Sequence, residues 1–187
     1  MLKYLCEEKK VTLYRCAMDT QIPYSTLSDI ALGHTNPQYI SAFILQVLSS
    51  YFELSMDELY KILLLQERPA FEQFRSEMCH KLKRNGDIEM LRFIRKNNYI
   101  DLFWKLKWYP ESLYLLALFD LLSKKNNVNL CEDYDWYRKQ KMKELIVPVD
   151  VLLDEKMNPQ SNYRETLIKN ANREFLKYNI LEGDVYE

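Results

Sequence analysis

From its first residue the chain alternates short apolar stretches, spaced as helices space them, with polar residues suited to helix ends. Leu2, Leu5 and Cys6 share one face of a short helix that gives out near Lys9-Lys10. Thr12 stands where an N-cap belongs, its hydroxyl able to accept from the free amides of a helix over about residues 13–19. After Thr20-Gln21-Ile22 a second start signal appears, with Pro23 in a first-turn position ahead of Tyr24-Ser25-Thr26-Leu27-Ser28-Asp29-Ile30. Gly33 supplies the positive φ that a helix C-terminus prefers. Ile40, Phe43, Ile44, Val47 and Leu48 then recur at i, i+3, i+4, i+7 and i+8, which predicts a fourth amphipathic helix. Ser55 caps a fifth, over about residues 56–65, with Asp57 and Glu58 in its first turn, where acids favour the helix dipole.

Past Gln66-Glu67-Arg68, a short polar stretch that reads as a domain boundary, the helical texture continues. Phe71, Phe74, Met78 and Leu82 mark one helix, stopped by Asn85-Gly86, and Ile88, Leu91, Phe93 and Ile94 mark the next, stopped by Asn97-Asn98. Residues 99–108 are dense in aromatics, and Pro110 opens a strongly apolar helix that runs to about Ser123. A further helix is expected over about residues 131–145, interrupted by Val147-Pro148-Val149, and a last one over about 161–178, after Asn158-Pro159. No period of 20 to 50 residues recurs, so a solenoid is not expected.

Composition agrees with an all-α chain. The 187 residues hold only 3 Gly, where average usage would give about 13, and turn-rich β folds need at least that many. The 48% hydrophobic content excludes a disordered chain and suffices for a real core. The longest apolar run, residues 113–122, is broken by Asp120 and is too short to span a bilayer. Nor does the acidic Glu7-Glu8 pair near the start suit a signal peptide, so a soluble cytoplasmic protein is expected.

Five helices in this order, the second and third separated by about four residues, suit a helix-turn-helix. Residues 2–63 resemble the Cro-type phage-repressor family. The resemblance rests on Thr12 as cap, Ala17 as the small residue at the helix contact, Ile22 in the turn, Leu27 and Ile30 as buried anchors, then Gly33, Asn36-Pro37 and the closing 54–59 segment. The tracts at 108–114 and 131–135 look like the helical extension of small regulators of low-GC Gram-positive bacteria. The resemblance implies a DNA-binding domain over 1–65, a larger all-helical domain over 66–187 that dimerises, takes a signal or docks a partner, and double-stranded DNA as ligand.

Carried over by position, Tyr24, Ser25, Thr26 and Ser28 would face base edges, with Thr12, Arg15 and His34 toward the phosphates. Ser and Thr suit several base edges, and the Thr methyl can touch a thymine methyl. The electrostatics are thin. Leu13 replaces the family's glutamine, the third helix has no Lys or Arg, and residues 1–64 carry five basic against seven acidic side chains. A helix-turn-helix kept for dimerisation or docking therefore stands beside DNA binding. It would suit an antitoxin or phage-type inhibitor that masks a partner, such as a toxin, through the second domain.

Four further features carry weaker chemistry. Trp104 and Trp108, at i and i+4 with Tyr109 adjacent, are read as one helix face, either core, a partner or dimer interface, or a base-stacking platform. The basic residues at 81–84, 92, 95 and 96 suit a solvated helix face, and the acids at 132, 133 and 135 a helix N-terminus more than a metal site. Cys6, Cys16, Cys79 and Cys131 show no chelating spacing and read as reduced core thiols. No phosphate-loop, nucleophile-elbow, zincin or dinucleotide motif occurs, so neither enzyme activity nor a cofactor or metal is expected.

Overall fold

The computed structural model describes residues 1–65, 67–158 and 161–186. Gln66, part of the expected boundary, and Pro159, part of the expected break before the last helix, lie outside the described residues. The chain is all-helical and divides into two compact units, Met1–Arg68 and Pro69–Glu187. Among the described residues no β-strand forms, and the only such backbone pairing is an isolated parallel bridge between Ile146 and Ile180. No helix among them is long and apolar enough to cross a membrane.

The first unit holds α1 (Leu2–Glu8), α2 (Leu13–Thr20), α3 (Tyr24–Ala31), α4 (Ala42–Phe52) and α5 (Met56–Leu64), with a 3₁₀ turn at Pro37–Tyr39. Local chemistry explains their ends. Thr12 Oγ1 accepts from the Arg15 amide, Ser41 Oγ from the Ile44 amide, and Ser55 forms a reciprocal capping box with Glu58. The buried apolar residues are Leu2, Leu5, Cys6, Cys16, Ala17, Ile22, Leu27, Ile30, Ile40, Leu48, Leu59, Ile62 and Leu63. One apolar expectation fails: Phe43 lies in the first turn of α4 and is exposed, whereas Ile44 and Val47 are half-buried and Leu48 fully buried.

The second unit is built on α9 (Tyr109–Lys125), which buries residues around its whole circumference, including every position from Glu111 to Asp120. Such a helix must be covered on all sides. It packs most extensively on α8 (Tyr99–Lys105), then on α7 (Asp87–Asn97) and α12 (Arg173–Leu176), with α6 (Phe71–Asn85) contributing Phe74 and Phe71 edge-on to Tyr114. On α7, Met90, Leu91 and Ile94 are buried, whereas Ile88, expected on the apolar face, is exposed.

Three expectations beyond Ser123 are corrected. The stretch 131–145 is not a helix. It forms two 3₁₀ turns, Glu132–Tyr134 and Tyr137–Lys139, and then runs extended. The cause is Arg138, whose Nε and Nη2 donate to the two oxygens of Asp120, each at 2.8 Å, and whose Nη1 donates to the Cys131 carbonyl at 2.7 Å. That carbonyl would otherwise serve the helix ladder. Further on, Met142 N donates to Tyr178 O and Ile146 N to Asn179 O. Second, the Val147-Pro148 interruption opens α10 (Val149–Met157). Third, the expected terminal helix is split into α11 (Tyr163–Asn170) and α12 by extended Ala171 and by Asn172, whose amide donates to Glu182 O while its side chain caps α12. The break lets Phe175 reach full burial against Tyr114 at 4.9 Å between ring centroids.

Asp120 is buried and the Arg138 side chain nearly so. The Asp120 hydrogen bonds push the guanidinium pKa further up. Removing one member of a buried pair strands the other, so Arg138→Met is expected to cost about 3–5 kcal/mol in urea unfolding of the full chain. The double change Asp120→Leu with Arg138→Met is expected to cost less than either single change.

Candidate nucleic-acid interface

The surface singled out by sequence is centred on the connection between α2 and α3. Thr20 Oγ1 donates to the Cys16 carbonyl at 2.6 Å and ends α2, and Gln21 takes a left-handed φ of 56° as its C-cap. Ile22 then points inward and is buried, and Pro23 sets the first φ ahead of α3, whose ladder starts with Leu27 N on Pro23 O at 3.2 Å. Leu27 and Ile30 bury the inner side of α3, and Cys16 and Ala17 that of α2. The first turn of α3 is thereby left outermost.

Tyr24 and Ser25 are exposed there, and Thr26 and Ser28 are half-buried. Among the described residues no hydrogen bond engages the hydroxyls of Ser25, Thr26 or Ser28. The Tyr24 ring leans on Tyr14 of α2 at 6.3 Å between centroids, joining the outer faces of the two helices. Thr12 is exposed, and its Oγ1 accepts from the Arg15 amide at 3.1 Å, so it is committed to the cap.

Arg15 is exposed but occupied. Its Nε and Nη2 grip the two oxygens of Asp19 at 3.2 and 2.9 Å, and Tyr51 OH donates to Asp19 Oδ2 at 2.9 Å. Partial burial, with the Asp19 bond second, pushes the Tyr51 phenol up to about 12. Asp19 and Tyr51 were not singled out from sequence. The Arg15/Asp19 spacing of four was a usable signal for a helical ion pair, whereas Tyr51 lies 32 residues away and had none. Lys9 is similarly drawn to Glu53, at 3.6 Å, beneath the Tyr51 ring. His34 follows Gly33, whose φ is +75°, and its Nδ1 lies 3.6 Å from Asp29 Oδ1 on an exposed loop. Its backbone amide donates to the Asp29 carbonyl at 2.9 Å.

The tryptophan pair of the second unit is not one helix face. Lys107 adopts a left-handed φ of 58° between them, so Trp104 lies on α8 and Trp108 caps α9. Trp108 is 1% exposed and stacks on Phe103 at 5.4 Å, which makes it core and removes it from any partner surface. Trp104 and Tyr109 stay together, 4.6 Å apart, and Trp136 and Tyr137 join them at 5.3 and 5.6 Å from Trp104. The last two arrive through the irregular 131–148 segment, so their company could not be read from helical spacing.

Cys6 and Cys16 are buried, while Cys79 and Cys131 are partly exposed, and all four are free thiols. Cys131 lies in the irregular segment and not on the expected helix. No three His, Cys, Asp or Glu side chains among the described residues stand together as metal ligands.

Comparison of the chain with protein families, with curated proteins and with solved structures finds no match.

The cap at Thr12 can be tested alone. Thr12→Ala is expected to lower the stability of the first unit by about 1 kcal/mol, read by denaturant unfolding, while Thr12→Asp should retain most of it.

Proposed function

We propose that α2 and α3 act as a helix-turn-helix and that the chain is a sequence-specific DNA-binding regulator, most simply a repressor. The observation that carries this reading is the first turn of α3. It is uncharged and outermost, and the hydroxyls of Ser25 and Thr26, with Ser28 a turn later, have no hydrogen-bond partner among the described residues. Hydroxyls in that position can donate to or accept from base edges in the major groove.

The electrostatics set the terms. Arg15 and Lys9, two of the unit's few cations, already face Asp19 and Glu53. Such a surface releases few counterions, so affinity should rest more on base contacts and fall only gently with salt. If the regulator binds as a two-fold dimer, its two α3 helices should sit about 34 Å apart on an inverted repeat.

A second reading has its own observation. Tyr14 and Met18, on the outer face of α2, are 65% and 60% exposed, and the Tyr24 ring packs on Tyr14. An apolar surface of this kind suits docking to a protein, as in an antitoxin or inhibitor, and a toxin gene in the adjacent reading frame would favour it.

Selection of genomic fragments on the full-length protein at low salt is expected to enrich a defined site. Ser25→Glu with Thr26→Glu should reduce binding to that site at least about 100-fold, at the rate of 1–3 kcal/mol per lost base contact, without lowering the melting temperature. Failure to enrich any site, or undiminished binding by the double variant, would contradict the proposal.

A further inference from the structure

Between the end of α7 and the first 3₁₀ turn of the irregular segment, the second unit holds a cleft of about 430 Å³, within the roughly 300–1,000 Å³ of small-molecule sites. It is lined by Arg95, Asn98, Asp101, Asp133, Tyr134 and Tyr137. Two of these are occupied with each other. Asp101 accepts from Tyr137 OH and, at 3.3 Å, from Asn98 Nδ2, and it pairs with Lys105 at 3.0 Å. The other groups are left to face a ligand. The Arg95 guanidinium is exposed in the last turn of α7 and makes no ion pair or hydrogen bond among the described residues. The Tyr134 side chain is 3% exposed and packs edge-on to Phe119, yet its hydroxyl has no hydrogen-bond partner among the described residues. Asn98 keeps its side-chain carbonyl, and Asp133, which is exposed, meets only the Cys131 thiol, at 3.5 Å.

Buried polar side chains are as a rule hydrogen-bonded. An unpartnered phenol in the wall of a cleft, with an unpaired guanidinium in the same wall, therefore marks a place for a ligand oxygen. Burial pushes the Tyr134 phenol up to about 12, and Arg95 is close enough to act on it in the opposite sense. The hydroxyl is thus a donor at neutral pH. Arg95 and Tyr134 together offer charge-assisted donors suited to a carboxylate, whereas Asp133 and the Asn98 carbonyl offer acceptors suited to an ammonium. A polyphosphate would be repelled by the two acids of the cleft, and a plain carboxylate would leave Asp133 unanswered. We propose that this cleft binds a free α-amino acid, its carboxylate on Arg95 and Tyr134 and its ammonium on Asp133 and Asn98. The Tyr134 and Tyr137 rings, 6.4 Å apart between centroids, give the amino acid's own side chain an aromatic wall.

The site lies wholly within the second unit and does not depend on the reading of α3. Isothermal titration of the full-length protein with each of the common L-α-amino acids in turn should give saturable binding of at least one. The methyl ester of that amino acid, which lacks the carboxylate, and its α-hydroxy acid, which lacks the ammonium, should each bind at least about 10-fold more weakly. Arg95→Met and Tyr134→Phe should each weaken binding by about 10-fold or more, the loss of one hydrogen bond to a charged group. Neither change removes a partner from the unliganded chain, so the melting temperature without amino acid should stay as in the wild type. Absence of binding by every amino acid overturns the proposal, as does undiminished binding by Arg95→Met or Tyr134→Phe. An ester or hydroxy acid that binds as tightly as the amino acid overturns the assigned ligand, and a Tyr134→Phe variant that melts lower overturns the free hydroxyl on which it rests.

Discussion

Placing a carboxylate inside a helix that is covered on every side costs several kcal/mol unless a cation is brought in with it, and the second unit is arranged around meeting that demand at Asp120. Arg138 reaches it with Nε and Nη2 and has to leave helical geometry to do so. The same side chain takes the Cys131 carbonyl, and the segment that follows then pairs its backbone with residues 178–181. Tyr134 is drawn edge-on to Phe119 at 5.5 Å and Phe175 onto Tyr114. Coverage of α9 is thus completed from its far side by chain with little regular structure. Arg75 plays a similar part at Glu182, at 2.8 Å, tying α6 to the C-terminal stretch.

The contrast between the two units shows what a pattern of residues can disclose. In the first, the starts and stops are made by neighbours in sequence: Thr12 on Arg15, Ser55 with Glu58, Gly33 at positive φ. Interactions of that range are present in any short window of the chain, so the five helices are legible there. In the second, the helices up to Lys125 are legible for the same reason, except that the stop between α8 and α9 at Lys107 is not. Beyond it the local signal of 131–145 is outweighed by bonds to residues 18 to 37 positions away, and the acids at 132, 133 and 135 resemble a helix start that does not develop. Glycine scarcity pointed correctly to helices, but the stops fall largely elsewhere. Lys10, Gln21, Glu53, Asn98, Lys107, Asn127 and Asn179 all take left-handed φ. Nothing in the side chain of Lys or Glu announces that conformation, and Lys107 is the residue that separates the two tryptophans.

The candidate surface was legible to the same extent. Exposure of Ser25 and half-burial of Thr26 and Ser28 follow from Leu27 and Ile30 facing inward on a helix, a matter of spacing alone. The occupation of Arg15 depends partly on Tyr51 reaching Asp19 from α4, which spacing cannot reveal. That contact matters to the proposed function, because it ties a cation expected at phosphate into a surface network with Asp19 and Tyr51.

In the proposed function, the opening turn of α3 is the surface that meets DNA. Amide and side-chain NMR shifts of the full-length protein, titrated with a duplex enriched by selection, test this most directly. Tyr24, Ser25, Thr26 and Ser28 are expected to move most, with smaller changes at Thr12 and around His34. Shifts confined to the Tyr14 and Met18 face, or to the second unit, with α3 unmoved, would contradict it.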